Sequence, residues 1–271
     1  MKHLAGVFSE SFDKIAGDCH YRKEVIRMSR LFITGDTHNK IDIEKLNTKH
    51  FPEQKNLTKD DVLLIAGDFG VPWHKPHAKS DEYLLDQYES RNFTTIFIDG
   101  NHENFDALYE YPETIFAGAR CHQLRPHIYH AMRGESLYFA GHKILCMGGA
   151  DSHDKMYRTP YISWWPQERP SLEEFEYARR NLIEQKPDMI VTHDAPERIF
   201  LELHPKAHPS TVSEYLEQFC VAIEENHIPV TDWYFGHHHN DDDVEMGGIH
   251  YHMRYQRITE ISPKYATDLR K

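Results

Sequence analysis

The sequence is short of cysteine, of basic charge and of long apolar runs, and each shortage removes a class of protein. Its four cysteines, Cys19, Cys121, Cys146 and Cys220, stand far apart and form no C-x-x-C pair. That spacing argues against a disulfide framework or a zinc ribbon and favours reduced thiols in a cytoplasmic protein. No apolar stretch approaches the roughly 18 residues that a membrane helix requires. Residues 1–30 mix charges throughout and lack the apolar core of a signal peptide. Net charge is −12, from 31 Lys and Arg against 43 Asp and Glu. Long nucleic acid and anionic membranes draw affinity from clustered Lys and Arg, so neither suits this chain as a partner. No repeat, low-complexity segment or linker divides it.

Histidine is plentiful, at 21 of 271 residues, within an otherwise ordinary 39% hydrophobic and 27% charged composition. A chain of this length buries a substantial core. Residues 1–29 read as a polar N-terminal extension interrupted by Gly6, Gly17 and Asp18, and Met28 is a candidate natural start. Residues 30–271 read as one domain.

From Arg30 onward a pattern recurs, in which a short apolar run ends in Gly or Thr and Asp, Asn or His follows at once. Leu31–Thr34 leads to Gly35-Asp36-Thr37-His38, and Val62–Ala66 leads to Gly67-Asp68. Thr95–Ile98 leads to Gly100-Asn101-His102-Glu103, Met189–Thr192 to His193-Asp194, and Trp233–Phe235 to Gly236-His237-His238-His239. Short, continuous apolar runs rich in β-branched and aromatic residues mark strands buried on both faces. Polar helical segments over 79–91 and 171–185 lie between some of them, which predicts α/β layering. Residues 127–149 read instead as an antiparallel meander, with a two-residue turn at Gly141-His142. The tail from Gly248 to Ser262 alternates and predicts late strands.

Ligands in open α/β sheets bind beyond the carboxyl ends of the strands, where these motifs deliver Asp, Asn and His. Such mixed oxygen and imidazole donors suit manganese, iron, zinc or nickel better than calcium. Each motif alone is weak. A lone Asp after a strand is commonly a turn or cap residue, and a lone strand-end His is commonly a hydrogen-bonded core residue. Five of them in this order have no evident structural cause.

In these motifs the chain resembles the calcineurin-like metallophosphoesterase superfamily, over residues 31 to about 255. The resemblance implies a four-layer α/β/β/α sandwich with two central mixed sheets. It implies two divalent metal ions, manganese first among the candidates. One would be held by Asp36, His38, Asp68 and His239, the other by Asp68, Asn101, His193 and His237, with Asp68 bridging. His237 and His239 are two apart and face one side of an extended segment, so His238 points away. It further implies a phosphate-ester hydrolase in which the metals acidify a bridging water, with His102 as the catalytic histidine. Asp99, Asp106 and Asp154 are candidates for orienting His102.

The protein-phosphatase branch carries arginines in G-D-x-x-D-R-G and R-G-N-H-E. Here those stretches read Gly67–Pro72 and Asp99–Glu103, and both arginines are missing. Protein-phosphatase activity is therefore in doubt, and the expected substrate is a small phosphorylated molecule. The loop after the strand ending at Met147 should also emerge near the metals. It offers Lys155 and Arg158 as phosphate-binding cations. Trp164 and Trp165 are either an aromatic platform for substrate or a pin that fixes the loop. Trp73 and His74 either line the site or close their own loop, and Asp241–Asp243 reads as a solvated acidic turn. A phosphodiesterase or nucleotide hydrolase using the same centre is the nearest rival, and a non-catalytic metal-binding scaffold is a more distant one.

Overall fold

The computed structural model describes residues 29–75 and 77–264. The expected extension before residue 29, the candidate start at Met28 and Cys19 lie outside the described residues. Among the described residues thirteen strands form two mixed sheets. In chain order they are β1 (Leu31–Thr34), β2 (Val62–Ile65), β3 (Thr94–Phe97), β4 (Glu113–Phe116), β5 (Ala119–Arg125), β6 (Ile128–Ala131) and β7 (Ser136–Phe139). They continue with β8 (His142–Met147), β9 (Met189–Thr192), β10 (Asp232–Phe235), β11 (Asp242–Met246), β12 (Ile249–Met253) and β13 (Thr259–Ile261). The helices are α1 (Lys79–Glu89), α2 (Phe105–Leu108), α3 (Leu172–Gln185), α4 (Glu197–Leu203) and α5 (Thr211–Asn226).

The first sheet runs β13-β1-β2-β3-β6-β5-β4 and the second β11-β12-β10-β9-β8-β7. The parallel strands β1, β2, β3 and β9 are apolar on both faces and buried along their length. The cause is their position between layers. One apolar cluster joins Leu31, Val62, Leu64 and Ile96 of the first sheet to Leu137, Ile144, Met189 and Val191 of the second. A second cluster packs Leu84, Leu85 and Tyr88 of α1 on the outer face of the first sheet. A third packs Phe175 and Leu182 of α3 and Leu216 and Phe219 of α5 against Leu145, Ile190 and Trp233. The result is the expected α/β/β/α order of layers.

Three local expectations are corrected. The stretch 127–149 is not one meander. β6 pairs in parallel with β3 in the first sheet, while β7 and β8 form a hairpin in the second. The chain changes sheets between them: Ile128–Ala131 lies buried between β3 and β5 of the first sheet, and β7 and β8 pair in the second. The hairpin turn is Ala140-Gly141, one residue earlier than expected; both residues have positive φ, 51° and 81°, as a two-residue hairpin turn matching the strand twist demands. Asp241–Asp243 is not a free acidic turn. Asp242 and Asp243 begin β11. The Asp241 carboxylate accepts from the backbone N–H groups of Tyr255, Gln256 and Arg257, and Asp243 meets Arg254 and Arg257.

Candidate metal centre

The residues expected to hold metal leave the carboxyl ends of β1, β2 and β3 in one sheet and of β9 and β10 in the other, and they meet between the sheets. Ligating atoms of Asp36, His38, Asp68 and His239 all lie within 4.8 Å of one another. Beside them, His193 Nε2 stands 3.3 Å from Asp68 Oδ1 and 3.2 Å from Asn101 Oδ1. The His237 ring packs edge-on against His193, at 5.0 Å between centroids. Asp68 faces both groups. Its Oδ2 is 3.0 Å from His38 Nε2, and its Oδ1 accepts from the backbone N–H groups of Asn101 and His102 at 2.9 Å.

The backbone is bent to make this convergence possible. Asp36, His38, Asp68, His237 and His239 all have φ between 42° and 66°, a left-handed conformation that costs non-glycine residues of order 1–2 kcal/mol each and gathers at functional sites. Glycines clear the space. A Cβ on Gly67 would stand 2.0 Å from His193 Nδ1, and one on Gly100 would stand 2.1 Å from Asp68 Oδ1.

Proton accounting shows that this donor set fits a cation. His193 Nδ1 donates to the Ala66 carbonyl at 2.8 Å, which leaves the Nε2 lone pair facing the carboxylate oxygen of Asp68 and the amide oxygen of Asn101. Three acceptors directed at one another require a positive charge among them, supplied by a cation or, without one, by a proton on His193. The electrostatics agree. Burial alone would lower the pKa of His193, but the Asp68 charge and hydrogen bond, with Asp36, overcome it and raise the value to about 10. His38 behaves alike: burial opposes, Asp68, Asp36 and Asp42 prevail, and the value rises to about 9. Burial instead holds His237 neutral, with its pKa lowered to about 3. Asp68 is held well below the usual carboxylate range, because the surrounding imidazoles outweigh its burial.

The calcineurin-like phosphoesterase family profile matches residues 29–241. The chain belongs to that family. It is similar to lariat debranching enzyme A of Xenopus laevis, 24% identical over an alignment of 242 residues, with 78% of this chain and 42% of that one covered. The chain thus spans less than half of that relative's length. Among solved structures it is similar to the phosphopantetheinyl hydrolase of Mycobacterium tuberculosis, at 15% identity and a TM-score of 0.45, covering 88% of this chain and 98% of that one. It is also similar to a putative 5'-nucleotidase of Staphylococcus aureus, at 14% identity and a TM-score of 0.46, covering 85% and 50%.

In this family member His102 lies beside the Asp and His cluster, with Nε2 3.9 Å from Asp68 Oδ2 and its side chain 30% exposed. Burial lowers its pKa, Asp68 opposes the shift, and Arg158 adds to it. Arg158 reaches across, its two terminal nitrogens 3.4 and 3.2 Å from the two ring nitrogens of His102. None of the three carboxylates expected to orient His102 bonds to it. Asp99 is taken by Arg133 and His130, and Asp106 accepts from Trp165 Nε1. Asp154 pairs with Arg158 at 2.7 Å and so reaches His102 only through that arginine.

The two tryptophans separate. Trp165 is 2% exposed and packs edge-on against Trp73, so it pins the loop and offers substrate no face. Trp164 is half-buried and lies under the ammonium of Lys155 at 5.8 Å, which places that lysine on a tryptophan ring rather than on the metal ligands. Trp73 lies over His102 with ring centroids 6.3 Å apart, and His74 is held by Asp81. His238 points away as expected, bonded to Asp194 at 3.1 Å.

Several supporting groups escaped the sequence reading. Asp42 accepts from His38 Nδ1 at 2.7 Å and so presents Nε2 to the site. Buried Lys45 bonds the backbone carbonyls of Gly35, Asp36 and Tyr255. Glu103 accepts from the N–H groups of Gly70 and Gly100, tying together the loops after β2 and β3; burial, then Asp68 and Asp99, push its pKa up to about 8. Only Glu103 sat inside a motif. Asp42 and Lys45 had no periodic or spacing signal to reveal them.

Proposed function

We propose that the chain hydrolyses phosphate esters at a two-metal centre, with a small phosphorylated monoester as substrate. The observation that supports it most is the convergence of Asp36, His38, Asp68 and His239 within 4.8 Å, next to the acceptor trio of His193, Asn101 and Asp68. Asp36, His38, Asp68 and His239 would hold one cation; Asp68, Asn101, His193 and His237 would hold the other. Two divalent cations there, manganese first among the candidates, would supply an acidic water and neutralise phosphoryl charge.

The side chains do the rest. His102 borders the cluster and is open to solvent, placed to give the leaving alkoxide its proton. Arg158, beside His102, is the cation within reach of the phosphoryl group and stands in for the arginines the motifs lack. It favours a monoester, whose terminal phosphate carries the extra negative charge a guanidinium can meet. Trp73 adds an aromatic wall behind His102. Cys121, Cys146 and Cys220 are buried and unpaired. Among the described residues no helix is long and apolar enough to cross a membrane.

The manganese-loaded protein should turn over p-nitrophenyl phosphate faster than bis(p-nitrophenyl) phosphate. The reverse order would replace the monoester reading with the diesterase one. Turnover of neither ester, with bound metal demonstrated, would sink the enzyme reading altogether.

A further inference from the structure

The loop between β8 and α3 makes a contact with the metal cluster that its charged residues do not. Asn101 Nδ2 donates to Ser152 Oγ at 3.0 Å. The Ser152 hydroxyl in turn donates to Glu168 Oε2 at 2.6 Å, and the Ser152 backbone N–H donates to Glu168 Oε1 at 3.1 Å. Asn101, Ser152 and Glu168 are 6%, 6% and 2% exposed, so water does not compete for these bonds.

The direction of the chain matters. A primary amide can present either its oxygen or its NH2 group to a given neighbour. When His193 is neutral, as a metal ligand must be, Asn101 has reason to turn its NH2 group towards the site, because the Nε2 lone pair is there and a hydrogen bond would satisfy both. That orientation would put a donor where a cation needs an oxygen. Glu168 forbids it. As a carboxylate it only accepts, so the Ser152 hydroxyl must spend its proton on Glu168 and has only lone pairs left for Asn101. Asn101 must then donate through Nδ2, and its Oδ1 is left facing His193 and Asp68.

We infer that Ser152 and Glu168 are positioning residues for the second metal site, which set the amide orientation of Asn101 and thereby couple the loop carrying Arg158 to that metal. The inference rests on the two-metal reading proposed above. It reaches beyond that reading because neither residue touches a cation or substrate, and because it links the metal to the loop. Coupling of this kind is reciprocal, so filling the second site steadies the segment 151–169 and an ordered segment tightens the site.

Isosteric replacement separates this role from simple space filling. In Glu168→Gln the one amide oxygen must still serve the Ser152 N–H. Its NH2 group then faces the Ser152 hydroxyl, the polarity of the chain reverses, and Asn101 turns its NH2 group to the metal. Manganese binding to full-length wild type, Glu168→Gln, Ser152→Ala and Ser152→Thr is measured by calorimetry, with thermal melts of each to report folding. Wild type should bind two ions. Glu168→Gln and Ser152→Ala should keep first-site affinity while the second weakens by about 10–100-fold, the usual cost of losing such a partner. Ser152→Thr, which keeps the hydroxyl, should restore it. Second-site affinity unchanged in Glu168→Gln and Ser152→Ala overturns the inference alone, with the two-metal reading intact. Equal loss of both sites, or a Ser152→Thr protein as weak as Ser152→Ala, also overturns it, because the loop would then act through packing. A wild-type protein that binds fewer than two ions removes the two-metal reading and this inference with it.

Discussion

At the scale of single residues, the site works by leaving each side chain one orientation. His38 is turned by Asp42, His193 by the Ala66 carbonyl and His238 by Asp194. His102 is the exception, since its ring is met by a guanidinium rather than by a hydrogen-bond acceptor. Burial and that guanidinium favour the neutral ring, whose N–H is the proton it can offer a substrate oxygen. Replacing His102 with Asn should therefore lower kcat by about 10²–10⁴-fold, the usual worth of a general acid, while manganese content stays at the wild-type level. Loss of metal along with activity would move His102 from proton transfer to site assembly. The residue-scale motifs were readable in sequence because each follows a glycine or threonine at a strand end. Asp42 and Lys45 were not, because a side-chain bond to a nearby ring or carbonyl leaves no periodic or spacing mark in the sequence.

At the scale of elements, short strands and the side-chain caps of α2, α3 and α5 keep the loops in place. The N-terminus of α3 carries a full capping box. Ser171 accepts from the Glu174 N–H, and Glu174 bonds back to the Ser171 N–H. The same Glu174 reaches Arg133, which with His130 holds buried Asp99 well below the usual carboxylate range against the cost of burial. Ser171→Ala should cost about 1 kcal/mol, read as a melting temperature lower by about 2–4 °C for a domain of this size. An unchanged melting temperature would mean that Arg133 alone holds this end of the helix. The strands were legible from their apolar runs, and α1 and α3 from their polar spacing. The hairpin turn was misplaced by one residue because the positive φ of Ala140 leaves no mark in composition. The sheet change after β6 was missed because adjacent short strands look alike whether they pair with each other or with distant partners.

At the scale of the whole molecule, the two sheets are joined at both ends. The proposed metal ligands follow strands of both, so chelation should lower the melting temperature and manganese should restore it in a concentration-dependent way. Stabilisation should reach about 2.7 kcal/mol when the ion is at 100 times its dissociation constant. A melting curve indifferent to chelator would contradict a metal bridge between the sheets. Away from the site, His142 of β8 bonds Asp188 at 2.7 Å and the Ser262 carbonyl, just past β13, at 2.9 Å. Burial opposes protonation of His142, but these partners raise its pKa. Its contribution is therefore whole below about pH 6.5 and fades as pH climbs through the raised value. Asp188 moves the other way. Burial would raise it, but His142, Lys264 and the Lys143 N–H lower it to about 2, so its share is whole above about pH 4 and fades as pH falls towards 2. His142→Asn should thus lower the melting temperature most between about pH 4 and 6.5, with the gap to wild type narrowing on either side. A gap independent of pH would show that packing, not charge, joins these strands.

Local sequence is enough to tell which residues stand at strand ends, which chemical types they are, and that the arginines of the protein-phosphatase branch are missing. Those facts are local: a buried strand writes its apolar run, and the turn that follows writes its glycine. Only the tertiary structure decided which way each donor faces. It placed Arg158 on His102, sent Trp165 into the core, and set Ser152 and Glu168 behind Asn101. Orientation depends on hydrogen-bond partners tens of residues away, and spacing along the chain carries no record of them.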